Sequence, residues 1–123
     1  MNKKNILYVE DNPQCRKLFQ YIMESVLPNK HVLLTFDNAE AALEKMDAFT
    51  FDFVFLDIKL PGMSGIEAIR IMQAQSDSLA TVYVAISAGI EDRYIDAVFD
   101  AGFDLFLAKP IKIDQLTDII TYY

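Results

Sequence analysis

The chain has 123 residues, of which 53% are hydrophobic and 24% charged, enough for one buried core beneath a charged surface. That mix excludes a disordered chain, and no apolar run approaches the ~20 residues that a membrane-spanning helix needs. A net charge of −7, with no basic stripe, helix-turn-helix signal or zinc-ligand spacing, argues against direct binding to nucleic acid. The opening MNKKNILYVED does not read as a signal peptide: its apolar stretch is about five residues, against the ~7–15 of a secretory signal, and it runs straight into acids. A cytoplasmic location is therefore expected. Cys15 is the single cysteine and cannot close an internal disulfide; on the apolar stripe of a predicted helix it is expected as a buried structural thiol.

Apolar runs and amphipathic stretches alternate along the chain. Asn5–Val9 (NILYV) reads as a buried strand. Asn12 then caps a helix with Pro13 at its first position. In that helix Cys15, Leu18, Phe19, Ile22, Met23 and Val26 recur at three- and four-residue spacing, and Pro28 and Asn29 stop it. His31–Phe36 (HVLLTF) is a second strand, with His31 expected as a surface residue at its start. Asp37 and Glu40 resemble a capping box for the next helix, whose inner face is Ala39, Ala42, Leu43 and Met46.

Phe51–Leu56 (FDFVFL) is a third strand, so apolar after Asp52 that both its faces must be covered, as in the middle of a parallel sheet. A loop over 58–63 contains the turn pair Pro61–Gly62. Ser64 and Glu67 form a second capping box, and Ile66, Ile69 and Met72 line the helix that follows. Thr81–Ile86 (TVYVAI) is the fourth strand, Asp92–Ala101 a helix ended by Gly102, and Phe103–Leu107 the fifth strand. After Lys109–Pro110 a short last helix carries Ile113, Leu116, Ile119 and Ile120 inward. Five strand–helix repeats imply an α/β domain, a parallel sheet with helices on both faces, over residues 1–123.

Ligands of such sheets sit beyond the carboxyl ends of the strands. Glu10 and Asp11 follow the first strand, Asp57 the third, Ser87, Ala88 and Gly89 the fourth, and Lys109 the fifth. Three crowded carboxylates repel one another unless one takes a proton or a cation sits between them. Mg²⁺ suits the second route, because it takes a few carboxylate oxygens, keeps waters and binds phosphate. Lys109 and the Ser87 hydroxyl, with backbone N–H groups around Ile58 and Ala88, would complete a phosphate cradle. An Asp is a competent nucleophile toward phosphorus, and phosphoryl transfer asks a protein mainly for positioning and charge neutralisation. Neither a G-x-x-x-x-G-K-[ST] loop nor a G-x-G-x-x-G motif is present, and the only histidine, His31, is predicted at the opposite end of its strand.

These pieces, in order, resemble the receiver domain of two-component response regulators. ILYVEDNP resembles the first strand and acidic pair. FVFLDIKLPGMSG resembles the phosphoacceptor strand and loop, with Asp57, Pro61 and Gly65 at the family's spacing. VAISAG and LFLAKPI supply Ser87 and Lys109. The resemblance implies a doubly wound five-stranded sheet of order 2-1-3-4-5 with five helices in three layers. It implies that Asp57 accepts a phosphoryl group from a phosphohistidine on a sensor histidine kinase or a histidine phosphotransfer protein. Glu10, Asp11, Asp57 and the Lys59 backbone carbonyl would hold Mg²⁺, or Mn²⁺ in its place. Lys109 would pair with Asp57 and then with phosphate, Ser87 would move to bond it, and Phe106 would occupy the aromatic switch position.

The resemblance further implies a cis Lys109–Pro110 bond and a protein target on the face of the fourth helix, fifth strand and last helix. The chain would be a monomer or weak dimer that contacts neither nucleic acid nor membrane, and no enzyme beyond chemistry on its own Asp57. Lys59 and Gly89 are where water access to the phosphoryl group would be tuned. Phe106 lacks a hydroxyl, so switching there would work by packing alone. A phosphorylation-independent docking module of the same fold is the alternative. A flavin carrier is disfavoured because the first loop reads EDNP, and a D-x-D phosphatase because that signature is absent.

Overall fold

A computed structural model of the chain describes residues 3–76, 80–89 and 92–123. Strands β1 (Lys4–Val9), β2 (His31–Phe36), β3 (Phe53–Asp57), β4 (Val82–Ser87) and β5 (Leu105–Ala108) alternate with helices α1 (Pro13–Val26), α2 (Ala39–Lys45), α3 (Gly65–Gln75), α4 (Asp92–Ala101) and α5 (Ile113–Tyr122). The strands pair in parallel, as the alternation implied, in the order β2-β1-β3-β4-β5 that the resemblance implied. No helix among the described residues is long and apolar enough to cross a membrane.

Successive side chains of a strand face opposite sides, and this alternation divides the core in two. On one side Ile6, Tyr8, Phe53, Phe55, Val84 and Ile86 pack on Phe19, Ile22 and Met23 of α1 and on Leu116, Ile119 and Ile120 of α5. On the other, Leu7, Val9, Val54, Leu56 and Ala85 pack on α2, α3 and α4 through residues such as Ala42, Ile69, Met72 and Val98. Every residue of β3 is buried, which is why its run is almost wholly apolar. The edge strand β2 is only half-buried.

Local signals set the helix ends. The Asn12 side chain accepts from the Gln14 and Cys15 amides, with Pro13 opening α1. Ser64 caps α3 through the Glu67 amide, and its hydroxyl donates to Glu67 Oε1. Gly102 ends α4 at φ +118°, a conformation open to glycine. The cap of α2 corrects the sequence reading. It is Asn38, which accepts from the Ala41 amide, and not Asp37, which accepts from Asn38 Nδ2.

Four further expectations change. Cys15 is half-buried rather than buried, and Leu18 and Ile113 are 48% and 51% exposed; Cys15 and Leu18 line an open cleft with Lys109, Pro110 and Ile111. His31 is no surface residue: its side chain is 7% exposed, lies 3.6 Å from Glu24, and places Nδ1 2.7 Å from the Leu27 carbonyl.

The start of α3 is pressed against the end of β3. The Gly65 amide donates to the Ile58 carbonyl at 2.9 Å. A Cβ at Gly65 would lie 2.4 Å from the Asp57 carbonyl oxygen and 2.8 Å from Ile58 Cα. Those obstacles are backbone and cannot swing aside. Gly65→Ala is expected to lower stability by about 1–3 kcal/mol; an unchanged urea midpoint would show that the loop absorbs a methyl group.

Candidate functional site

The carboxyl ends of β1, β3, β4 and β5 bring the polar residues to one rim. Asp57 is the last residue of β3, paired with Ile86 of β4, and is 3% exposed. Glu10 follows β1, held by its amide on the Phe36 carbonyl, and is fully buried. Asp11 beside it is exposed. Carboxylate oxygens of Glu10, Asp11 and Asp57 lie within 4.8 Å of one another.

Lys109 reaches into this cluster from the loop after β5. Its Nζ donates to Asp57 Oδ2 at 2.8 Å and forms a closer ion pair with Glu10 Oε1. The Lys109 amide is anchored on the Ser87 carbonyl, and the Lys109–Pro110 bond is cis, as the resemblance implied. On the other side of Asp57, Oδ1 accepts from the Lys59 amide at 3.0 Å.

One ammonium cannot neutralise this many carboxylates, and the electrostatics record it. Burial pushes the Glu10 pKa up to about 7; contact with Asp57 adds to the rise and Lys109 opposes it. For Lys109, burial acts to lower the pKa, but the hydrogen bonds and charges of Asp57 and Glu10 outweigh it and hold the ammonium above its ordinary range. Lys109 is thus a fixed cation, and Glu10 a carboxyl that a proton or a metal would stabilise.

The residues fit a hard divalent cation. Three carboxylates converge, and the buried Glu10 Oε2 has no hydrogen-bond partner among the described residues. An all-oxygen acidic set of this kind suits Mg²⁺.

The remaining expected residues fall around this cluster. Ser87 ends β4 and is 1% exposed; among the described residues its hydroxyl makes only a long 3.4 Å contact with the Ala88 carbonyl, so it is lightly held there. With Ile58, Lys59 and Gly89 it lines a cleft toward α4. Ala88 and Gly89 are exposed just beyond it. Phe106, on β5 opposite Ala85, is half-buried against the α2–α4 core. The Ile58 amide is a correction. It donates to the Ile86 carbonyl at 3.0 Å, so the sheet has already claimed it, and the amide at the Asp57 carboxylate is that of Lys59.

Two further features of the rim were not anticipated. Arg16 donates to the Glu10 carbonyl at 2.7 Å, fixing the turn before α1. The hydroxyl of Tyr8, two residues before Glu10 on β1, is buried with no hydrogen-bond partner among the described residues. Tyr8 belongs to an apolar run, and nothing in its spacing separates it from a core residue.

The model of the response regulator receiver domain family matches residues 6–121. The chain is 32% identical over 118 residues to the sensor histidine kinase GacS of Pseudomonas protegens, and 29% identical over 118 residues to the histidine-protein kinase BarA of Escherichia coli. These alignments cover 94% and 96% of the chain but 12% of each kinase, so the chain spans about an eighth of the length of these curated relatives. Among solved structures, a CheY-like response regulator receiver domain from Methylobacillus flagellatus superposes with a TM-score of 0.85 at 26% identity, over 98% of both chains. The receiver domain of a sensor histidine kinase from Pseudomonas aeruginosa, with magnesium coordinated in its active site cleft, gives 0.84 at 24% identity, over 97% of this chain and 95% of that one. On the rim geometry, the sheet order and a family match over nearly its whole length, the chain belongs to the response regulator receiver domain family.

Proposed function

We propose that residues 1–123 form a phosphoacceptor domain in which Asp57 takes a phosphoryl group from a phosphohistidine of a partner kinase or phosphotransfer protein. One observation carries this reading: the buried Asp57 carboxylate is gripped on one oxygen by Lys109 and on the other by the Lys59 amide, with Glu10 and Asp11 beside it. In the transfer, an Asp57 oxygen bonds to phosphorus as the bond from phosphorus to the histidine nitrogen breaks, and the electron pair leaves with the imidazole. Glu10, Asp11, Asp57 and the Lys59 carbonyl would hold Mg²⁺, with Mn²⁺ as a substitute, which would neutralise phosphoryl oxygens and draw the acids together.

Lys109 already lies at the attacked carboxylate and would follow the charge onto the phosphoryl group. The lightly held Ser87 hydroxyl would turn to donate to a phosphoryl oxygen, and the Lys59 and Ala88 amides would face the others. Phe106 would repack as Ser87 moves, carrying the change to a protein target on α4, β5 and α5. Lys59 and Gly89 flank the opening through which water reaches the product. Exposed Leu18 and half-buried Cys15 line a cleft with Ala88 and Lys109, an apolar ledge on which the partner's phosphohistidine would approach. The reaction ends on the chain's own side chain, as expected of a signalling element in the cytoplasm.

With Mg²⁺ and acetyl phosphate or phosphoramidate, the wild type is expected to gain the mass of one phosphoryl group, which hydroxylamine removes, and Asp57→Asn to gain none. No gain from either donor would sink the reading and favour a phosphorylation-independent docking module.

Stability should carry the mark of Glu10. Its pKa is raised in the folded state, so between about 4.5 and about 7 the folded chain binds the proton more tightly than the unfolded chain does. The Glu10 contribution to stability therefore falls as pH rises through that window and levels off above it. In urea titrations at about pH 5 and about pH 7.5, the metal-free wild type should lose more stability than Glu10→Gln. Added Mg²⁺ should stabilise the wild type more at the higher pH, because proton and cation compete for one carboxylate. Equal pH slopes in the two proteins would contradict this.

A further inference from the structure

Tyr8 stands two residues before Glu10 on β1, so both side chains leave the strand on the same face. Both are fully buried. The Tyr8 ring stacks on Phe19 of α1, centroids 4.0 Å apart and planes 17° from parallel, and Phe19 meets Phe55 edge-on at 5.0 Å. This packing accounts for an aromatic ring at residue 8 and leaves the hydroxyl unexplained, since phenylalanine would fill the same space. A buried hydroxyl is costly unless it is hydrogen-bonded.

Among the described residues the Tyr8 hydroxyl has no hydrogen bond of standard geometry, and neither does either carboxylate oxygen of Glu10, whose Oε1 is instead engaged by Lys109. Tyr8 also lines one cleft with Lys109, the residue that grips Glu10. A phenol keeps its proton near neutral pH and toward a carboxylate can only donate. An orphan donor and an orphan acceptor oxygen thus leave the same face of β1, both buried, while Lys109 holds Glu10.

We propose that Tyr8 is a positioning residue of the acidic cluster: its hydroxyl donates to the Glu10 carboxylate when that group leaves Lys109, and so holds it for the divalent cation. The inference rests on the reading of the rim given above. Lys109 is shared between Glu10 and Asp57, and any event that draws it toward a phosphoryl group, or draws Glu10 toward a cation, strips a buried carboxylate of its partner. A neutral donor on the same face of β1 would supply the replacement without adding charge. Groups that hydrogen-bond a metal-binding carboxylate commonly account for tenfold or more in metal affinity.

The test is Mg²⁺ titration of the metal-free chain, followed by amide chemical shifts or calorimetry, for the wild type, Tyr8→Phe, Glu10→Asp and the double variant. Tyr8→Phe is expected to weaken Mg²⁺ binding about tenfold, while its thermal midpoint without Mg²⁺ stays level or rises, because the ring and its stack remain. Glu10→Asp withdraws the carboxylate by one carbon, so Tyr8→Phe added to it should change the Mg²⁺ affinity less than about twofold. Equal affinities for the wild type and Tyr8→Phe overturn the proposal alone. Equal losses in both backgrounds also overturn it, since the effect would then be one of packing. A wild type that takes up no Mg²⁺ overturns it together with the reading of the rim.

Discussion

The fold's chemistry depends on one shared cation: the Lys109 ammonium, which bridges two carboxylates that are both almost completely buried. Removing a carboxylate from water is expensive, and a buried pair holds only where the partner's geometry is good. Here the geometry comes from the sheet. Glu10 and Asp57 sit at the ends of adjacent strands, and Lys109 is delivered from the far side of β4 with its amide tied to the Ser87 carbonyl. The two apolar cores that clamp β1 and β3 supply the burial. The same packing that stabilises the sheet therefore concentrates negative charge at its rim, and the single ammonium leaves that charge incompletely balanced.

This imbalance was legible in the sequence because acids end apolar runs at Glu10, Asp11 and Asp57, and a lysine ends another. What the runs did not mark was where the ladder stops. Phe51 is buried and apolar, yet β3 begins two residues later; the chain first turns at Asp52, whose carboxylate accepts from the Asn5 amide. At the other end Asp57 and Ser87 are ladder residues, although their polarity reads as loop. Hydropathy reports burial, and hydrogen bonding at a strand end need not follow it. The Ile58 amide was misplaced for the same reason: the ladder runs one residue further than the apolar pattern.

Elsewhere two neighbouring residues competed for one role. Asp37 and Asn38 are both good helix caps, and it is Asn38 whose extended backbone lets its side chain accept from the Ala41 amide. Leu18 and Cys15 keep the helical spacing of α1, but spacing does not report how wide a strip of the helix the sheet can cover. Tyr8 gave no polar signal at all, because its ring satisfies the apolar pattern and a buried, unpartnered hydroxyl leaves no mark on spacing. The elements and their order follow from periodicity; the hydrogen bonds that finish the rim depend on contacts between residues far apart in the chain.

The rim also joins the two cores. Lys109, Tyr8 and Asp57 lie toward the α1–α5 side, whereas Ser87 and Phe106 lie toward α2–α4. On the proposed reading, a phosphoryl group on Asp57 draws Lys109 and Ser87 inward from opposite sides, so one local charge event acts on both layers. The layers do not resist equally. β1 and β3 are packed on both faces and close-packed interiors deform little. β5 is a four-residue edge strand, only partly buried and hydrogen-bonded to β4 alone. On that reading the change would pass most easily there, where Phe106 is half-buried and has no hydroxyl, so packing against α4 would register it.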